Sequence, residues 1–286
     1  MAPAPLPPQI FDRALLARRL ARTQGDNFVH ALVREDLEDR LAVITRRFER
    51  ALVLGPDARA LPRAGRSAEG AFAFSRMATL VTDGDAPLAD AEALDLEAGA
   101  YDLVVSLLDL QAINDVPGYL ARIRAALKPD GLFLAAALGG RSLAELREAW
   151  LAADAARHGG AAPRVAPMID VRDAGALLQR AGFALPVADL EPRVVRYADP
   201  LALMRELAAL GGANPLAGRS RKLTLPADLI AAATAYAENF SDPDGRARAT
   251  LELLWLSGWA PHESQQQPLK PGSAQVSLTK VLGRGG

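Results

Sequence analysis

Cysteine is absent from this chain of 286 residues, aromatic residues make up only 5% of it, and histidine occurs three times. Without cysteine there is no disulfide, no thiolate zinc site and no cysteine nucleophile. Lysine is scarce too, so positive charge rests almost wholly on arginine. No apolar run reaches the roughly 18 residues of a membrane-spanning helix, and no transmembrane segment is expected. The opening MAPAPLPPQI has neither the basic stretch nor the apolar core of a secretory signal. A cytoplasmic protein is therefore expected.

Half of the residues are apolar and the net charge is −1, which suits a globular domain rather than a disordered chain. The length allows one α/β domain with additions. Charge is unevenly placed: residues 13–66 hold twelve Arg against seven Asp and Glu, an excess of +5 that leaves −6 elsewhere. An RNA or an anionic membrane would be drawn to such an end. No aromatics interleave with the arginines to stack bases, so no nucleic-acid partner is expected. A solvated helix face is the simpler reading, and peripheral contact with a membrane stays compatible with it.

Residues 1–9 are proline-rich and read as a disordered tail, and 10–50 read as helices. The short apolar run Ala51–Leu54 reads as the first strand, with a loop or short helix over 56–70. Phe72–Phe74 and Ala78–Val81 are both candidate strands, with turn residues at Asp83-Gly84-Asp85. The segment from Tyr101 to Gly140 is the clearest: an apolar strand, a helix opened by Pro117, a stop at Lys128-Pro129-Asp130-Gly131, and a second apolar strand. Strand, helix, turn and strand make a βαβ unit. Ser142 with Glu145 has the spacing of a capping box. Val171–Ala181 reads as a helix, and Leu185–Tyr197 as a strand interrupted by two prolines. Residues 199–249 read as a helical insertion before a last strand over Leu251–Trp259, with a short strand at Ala274–Leu278.

The Tyr101–Gly140 pattern resembles the back half of a class I S-adenosylmethionine methyltransferase. Phe11-Asp12-Arg13, Arg164–Phe183, Gly258–Gln265 and Gly272–Ser277 resemble the branch of the respiratory complex I assembly factor described as an arginine hydroxylase. That branch is related to the malonyl-carrier-protein methyltransferases. The resemblance implies an α/β, class I methyltransferase (Rossmann-like) doubly wound sheet, with N-terminal helices and a helical insertion before the last strand. Its core would span 51–198 and 250–282, with the insertion at 199–249.

The resemblance also implies where S-adenosylmethionine would lie. Ligands of an open α/β sheet sit at the carboxyl ends of the strands, where glycines let backbone approach closely. In the family's glycine-rich motif only Gly55 is kept here, with Val53, Asp57 and Arg59 at the other key positions and Pro56 removing a donor. A ribose-binding acid is missing if the second strand is Phe72–Phe74, whereas Asp83 or Asp85 serves if it is Ala78–Val81. Asp90 and Ala91 match the segment that meets the adenine, alongside the alternative of a surface turn. Ser106 and Asp109 are polar groups at the end of the central strand. No catalytic residue is assigned. His262 is expected to hold the tail with Glu263, and no metal-ligand motif appears.

Three functions follow from the resemblance. The chain modifies or chaperones a protein partner, a respiratory complex I subunit; or it methylates a carrier-bound or small carboxylate; or it is an inactive scaffold of methyltransferase fold.

Overall fold

The computed structural model describes residues 9–24 and 27–266. Residues 1–8 of the expected disordered tail, and the candidate strand at Ala274–Leu278, lie outside the described residues. Two helices come first, α1 (Arg13–Leu20) and α2 (Phe28–Ala42). Asp12 and Asn27 start them by accepting hydrogen bonds from first-turn N–H groups that lack helical partners.

The sheet follows, with β1 (Ala51–Asp57), β2 (Ala64–Ser67), β3 (Gly70–Val81) and β4 (Tyr101–Leu107). Next come α3 (Val116–Ala126), β5 (Leu127–Leu138), α4 (Ala144–His158), α5 (Val171–Arg180) and β6 (Ala184–Tyr197). The chain closes with α6 (Pro200–Ala209), α7 (Pro226–Phe240) and β7 (Ala247–Trp259). The strand order is β2-β3-β1-β4-β5-β7-β6. The run β3-β1-β4-β5 is parallel, and β7 lies antiparallel between β5 and β6.

Alternation along the strands divides the core between two faces. Leu52, Leu54 and Val104 face α3 and α5, packing with Leu120, Ile123 and Leu178. Ala51, Val53, Leu103 and Val105 face α2, packing with Val33, Leu37 and Leu41. A third cluster joins Leu146 and Trp150 of α4 to Leu203 of α6 and Tyr236 of α7, so the insertion has its own small core.

Several local readings are revised. The two candidate strands at 72–74 and 78–81 are one strand, β3. Residues 56–70, expected as a loop or short helix, hold a single turn of 3-10 helix at Ala58–Ala60 and also β2, which pairs antiparallel with β3. Lys128-Pro129-Asp130-Gly131 belongs to β5, whose pairing with β7 extends this far through hydrogen bonds with Ala260. The positive φ there falls on Asp130 (62°). Gly131 is needed for closeness, since a Cβ would stand 2.9 Å from the Lys128 carbonyl oxygen.

The capping box at Ser142 does not form. Ser142 Oγ instead accepts from the Glu252 N–H at 3.0 Å, and Glu145 accepts from the Thr250 N–H at 3.1 Å. Both residues tie α4 to β7. Pro186 and Pro192 are tolerated because β6 is an edge strand with one partner. The insertion is less helical than expected: residues 210–225 between α6 and α7 form no helix, and Ala247–Ala249 already belong to β7.

Candidate functional site

The carboxyl ends of β1, β3 and β4 form the topological switch point, where a doubly wound sheet normally leaves a crevice. Here the walls of that crevice touch. Thr79 near the end of β3 donates its hydroxyl to Asp109, in the loop after β4, at 2.7 Å. β1 lies between those two strands, and Thr79 falls between Ala78 and Val81, the partners of Gly55 and Asp57 in β1. Asp109 is fully buried, and its other oxygen accepts from the Tyr119 hydroxyl at 3.3 Å. Burial pushes the Asp109 pKa up, while the positive charge of Arg13 pulls it down. Tyr119 also meets Ser106 Oγ at 3.0 Å, and burial holds its phenol well above the ordinary range.

Arg13 lies across the same junction. Its guanidinium donates to the Ala112 carbonyl at 2.8 Å and to the Thr79 carbonyl at 3.2 Å. The segment before it is clipped by Asn114, whose Oδ1 accepts from Ile10 and Phe11 N–H at 2.8 and 2.7 Å. Glu92 fixes that clip in turn, accepting from the N–H groups of Asn114 and Asp115 at 2.7 and 2.9 Å.

The loop after β1 is occupied in a similar way. Asp57, 1% exposed, pairs with Arg59 at 2.6 Å. Arg59 also donates to the Leu20 and Thr23 carbonyls, both at 2.7 Å. An arginine at the carboxyl end of α1 satisfies acceptors that the helix leaves open. The hydrogen bond to Asp57 raises the Arg59 pKa. Gly55 is kept for packing within the sheet: a Cβ there would stand 2.8 Å from both the Leu107 carbonyl oxygen and Leu61 Cδ2.

The remaining sequence candidates have local partners. Asp83 bonds Arg76 at 2.9 Å. Partial burial opposes its ionisation, but the N–H groups of Ala86 and Asp85, with Arg76, bring its pKa down to about 2. Asp90 is exposed and caps a 3-10 turn through the Glu92 N–H at 3.0 Å. Ala91 is buried in the core against the face of α3. Ser106 is buried against Tyr119. Of the sequence candidates, Gly55, Asp83, Asp90, Ala91 and Ser106 do not line the large cavity, although Pro56 does. His262 bonds its neighbour Ser264, and Gln265 is the residue that ties the tail to the sheet, through Asp130 at 2.8 Å.

Where S-adenosylmethionine would lie at the switch point, the Thr79–Asp109 bond joins two of the walls, and Arg13 engages the Thr79 and Ala112 carbonyls beside it. Sequence reading missed Arg13 as a site residue, although Phe11-Asp12-Arg13 stood out as a motif. Tyr119 was legible only as part of an apolar helix face.

A cavity of about 1070 Å³ opens on this edge of the sheet and reaches the switch point, where Pro56, Leu80, Leu108 and Gln111 line it. Its walls come from the end of α1, from Leu108 and Leu138 after β4 and in β5, and from α4, α6 and the start of α7. Asp154 and Asp228 line it, each already paired: Asp154 with Arg164 at 2.6 Å, Asp228 with Arg157 at 2.6 Å and with His158 at 3.0 Å. Among the described residues no three His, Asp or Glu side chains gather as metal ligands.

A parallel run closed by an antiparallel β7 between β5 and β6 defines the class I methyltransferase fold. A family model described as a methyltransferase domain matches residues 41–186, half of the chain, and the chain belongs to that family. The protein called arginine-hydroxylase NDUFAF5, mitochondrial, is 42% identical in Danio rerio over 195 residues, which is 68% of this chain and 60% of that protein. The Homo sapiens counterpart is 40% identical over 195 residues, 68% of this chain and 56% of that one. The malonyl-[acyl-carrier protein] O-methyltransferase of Laribacter hongkongensis is 39% identical over 184 residues, 64% of this chain and 59% of the enzyme. The matches thus span about 60% of the length of these relatives. Among solved structures, the YcgJ protein of Bacillus subtilis aligns at a TM-score of 0.49 and 12% identity, over 82% of this chain and all of that one.

Proposed function

We propose that this methyltransferase-family chain serves respiratory complex I assembly by engaging a protein partner, a subunit of that complex, without turning over S-adenosylmethionine. One observation supports the second half: the Thr79–Asp109 bond joins two walls of the crevice in which the cofactor would lie. The first half is supported by the sequence resemblance at Phe11-Asp12-Arg13, Arg164–Phe183 and Gly258–Gln265, and by the relatives it points to. The composition supports a cytoplasmic location, which fractionation of cells would check.

The test combines capture with transfer. The full chain is incubated with complex I subunits and S-adenosylmethionine carrying a labelled methyl group. A retained subunit and no label in any protein is the expected result. Incorporated label would return the chain to the methyltransferases, and failure to retain any complex I subunit would remove the assembly reading.

A further inference from the structure

The cavity has an imbalance of charge that its walls do not resolve. Arg164 is matched by Asp154, and Arg219 by Asp12 at 3.0 Å. Arg19 is different. It donates to two carbonyls, Ala213 at 2.5 Å and Asn214 at 3.0 Å, and has no carboxylate within ion-pair distance among the described residues. Asp12, the acid that acts on it, is committed to Arg219 and to the Leu15 N–H. Burial and the neighbouring Arg219 charge both lower the Arg19 pKa. A partly buried cation beside another cation is stabilised by an anion placed against it.

One wall of the cavity is apolar. Leu146, Trp150, Leu203, Met204 and Leu207 line it, and its volume is at the upper end of the roughly 300–1,000 Å³ of small-molecule pockets. Its rim carries Lys222 next to Leu223, which is 89% exposed, with Leu225 also largely exposed. Large apolar side chains beside a basic one, at the rim of an apolar cavity, offer a way in for a molecule with a chain and a charged end.

We infer that this cavity binds a single-chain amphiphile with an anionic head group, the head at Arg19 and the chain along the wall formed by α4 and α6. The head is a carboxylate or a phosphate, which share the ability to accept several N–H bonds from a guanidinium. The inference is independent of the proposed role in assembly and survives its failure.

Trp150 provides the readout, because its ring lines the cavity. Dodecanoate, dodecyl phosphate, dodecanol and dodecylamine are titrated into the full chain below their micelle concentrations, following tryptophan emission. Saturable binding of one or both anions is expected, with dodecanol and dodecylamine at least about tenfold weaker. The tighter of the two anions identifies the head group. Trp150→Phe removes the signal and assigns it to the cavity. Arg19→Met brings the anions down to the level of dodecanol, and Arg19→Lys restores part of the difference. Equal affinity for all four compounds, no saturation, or an unchanged preference in a folded Arg19→Met variant would each overturn the inference. Should Arg19→Met fail to fold, the anion-to-alcohol ratio of the unaltered chain still decides it.

Discussion

One edge of a single sheet carries two opposite solutions. At the ends of β3, β1 and β4 the chain has filled its own ligand crevice with Arg13, Arg59, Thr79 and Asp109, and each of these groups has a protein partner. Beside those groups, from Pro56 and Leu108 across the ends of β5, β7 and β6, the same edge stays open, as a cavity covered by α4, α6 and α7. A fold therefore does not fix which part of its edge receives a ligand. Side chains do, by satisfying or leaving unsatisfied the backbone and charges around them.

The contrast can be broken first at Arg59. Arg59→Ala leaves Asp57 buried without its cation and two carbonyls without a donor, and should cost about 3 kcal/mol in denaturant unfolding. Arg13→Met removes the donor to Thr79 and Ala112 and should cost about 2 kcal/mol. It should still not admit S-adenosylmethionine, because the Thr79–Asp109 bond remains. Gly55→Ala forces a methyl against the Leu107 carbonyl, for a cost of about 1–2 kcal/mol by the same measurement.

The smallest effects are in the pH dependence. Asp228 is held at about 2, first by Arg157 and then by the Leu225 N–H, and Asp83 is also at about 2. Folded-state values below the ordinary 3.8 give stability that is present above that pH and lost as pH falls from about 4 toward 2. Asp228→Asn should flatten that acid limb. Asp109 works in the reverse sense: its pKa is raised, so its protonated form favours folding, and stability declines as pH rises from about 4 through the raised value. Asp109→Asn should abolish this decline.

Much of the architecture was legible because period and punctuation agree in the central unit. Tyr119, Leu120 and Ile123 recur at helical spacing between two apolar strands, and they do pack under the sheet. Helix was expected across 199–249, and α6 and α7 lie within that stretch. β2 was not, because its four residues, Ala64–Ser67, carry no alternating apolar pattern and owe their strand to pairing with β3. Ser142 was misread because a hydroxyl three residues before a glutamate has the same spacing whether it caps a helix or bonds a neighbouring strand.

Within the candidate site, sequence reading located the departures from the glycine-rich motif at Pro56, Asp57 and Arg59, with Pro56 removing a donor. That Asp57 and Arg59 pair with each other and hold α1 depends on where α1 packs, and no local pattern records it. Arg13 and Asp109 are 96 positions apart in sequence and meet only through the fold. Arg19 was one arginine among twelve in a basic region, and among the described residues five of those are matched by distant carboxylates, as Arg40 is by Asp189 and Arg46 by Asp130.

The central claim is that the protein's own side chains occupy the cofactor's place at the switch point. Thermal unfolding with and without 1 mM S-adenosylhomocysteine tests it most directly. A ligand at about a hundred times its dissociation constant would add about 2.7 kcal/mol and raise the midpoint by several degrees. An unchanged midpoint is the predicted result, and a rise of that size would contradict the claim.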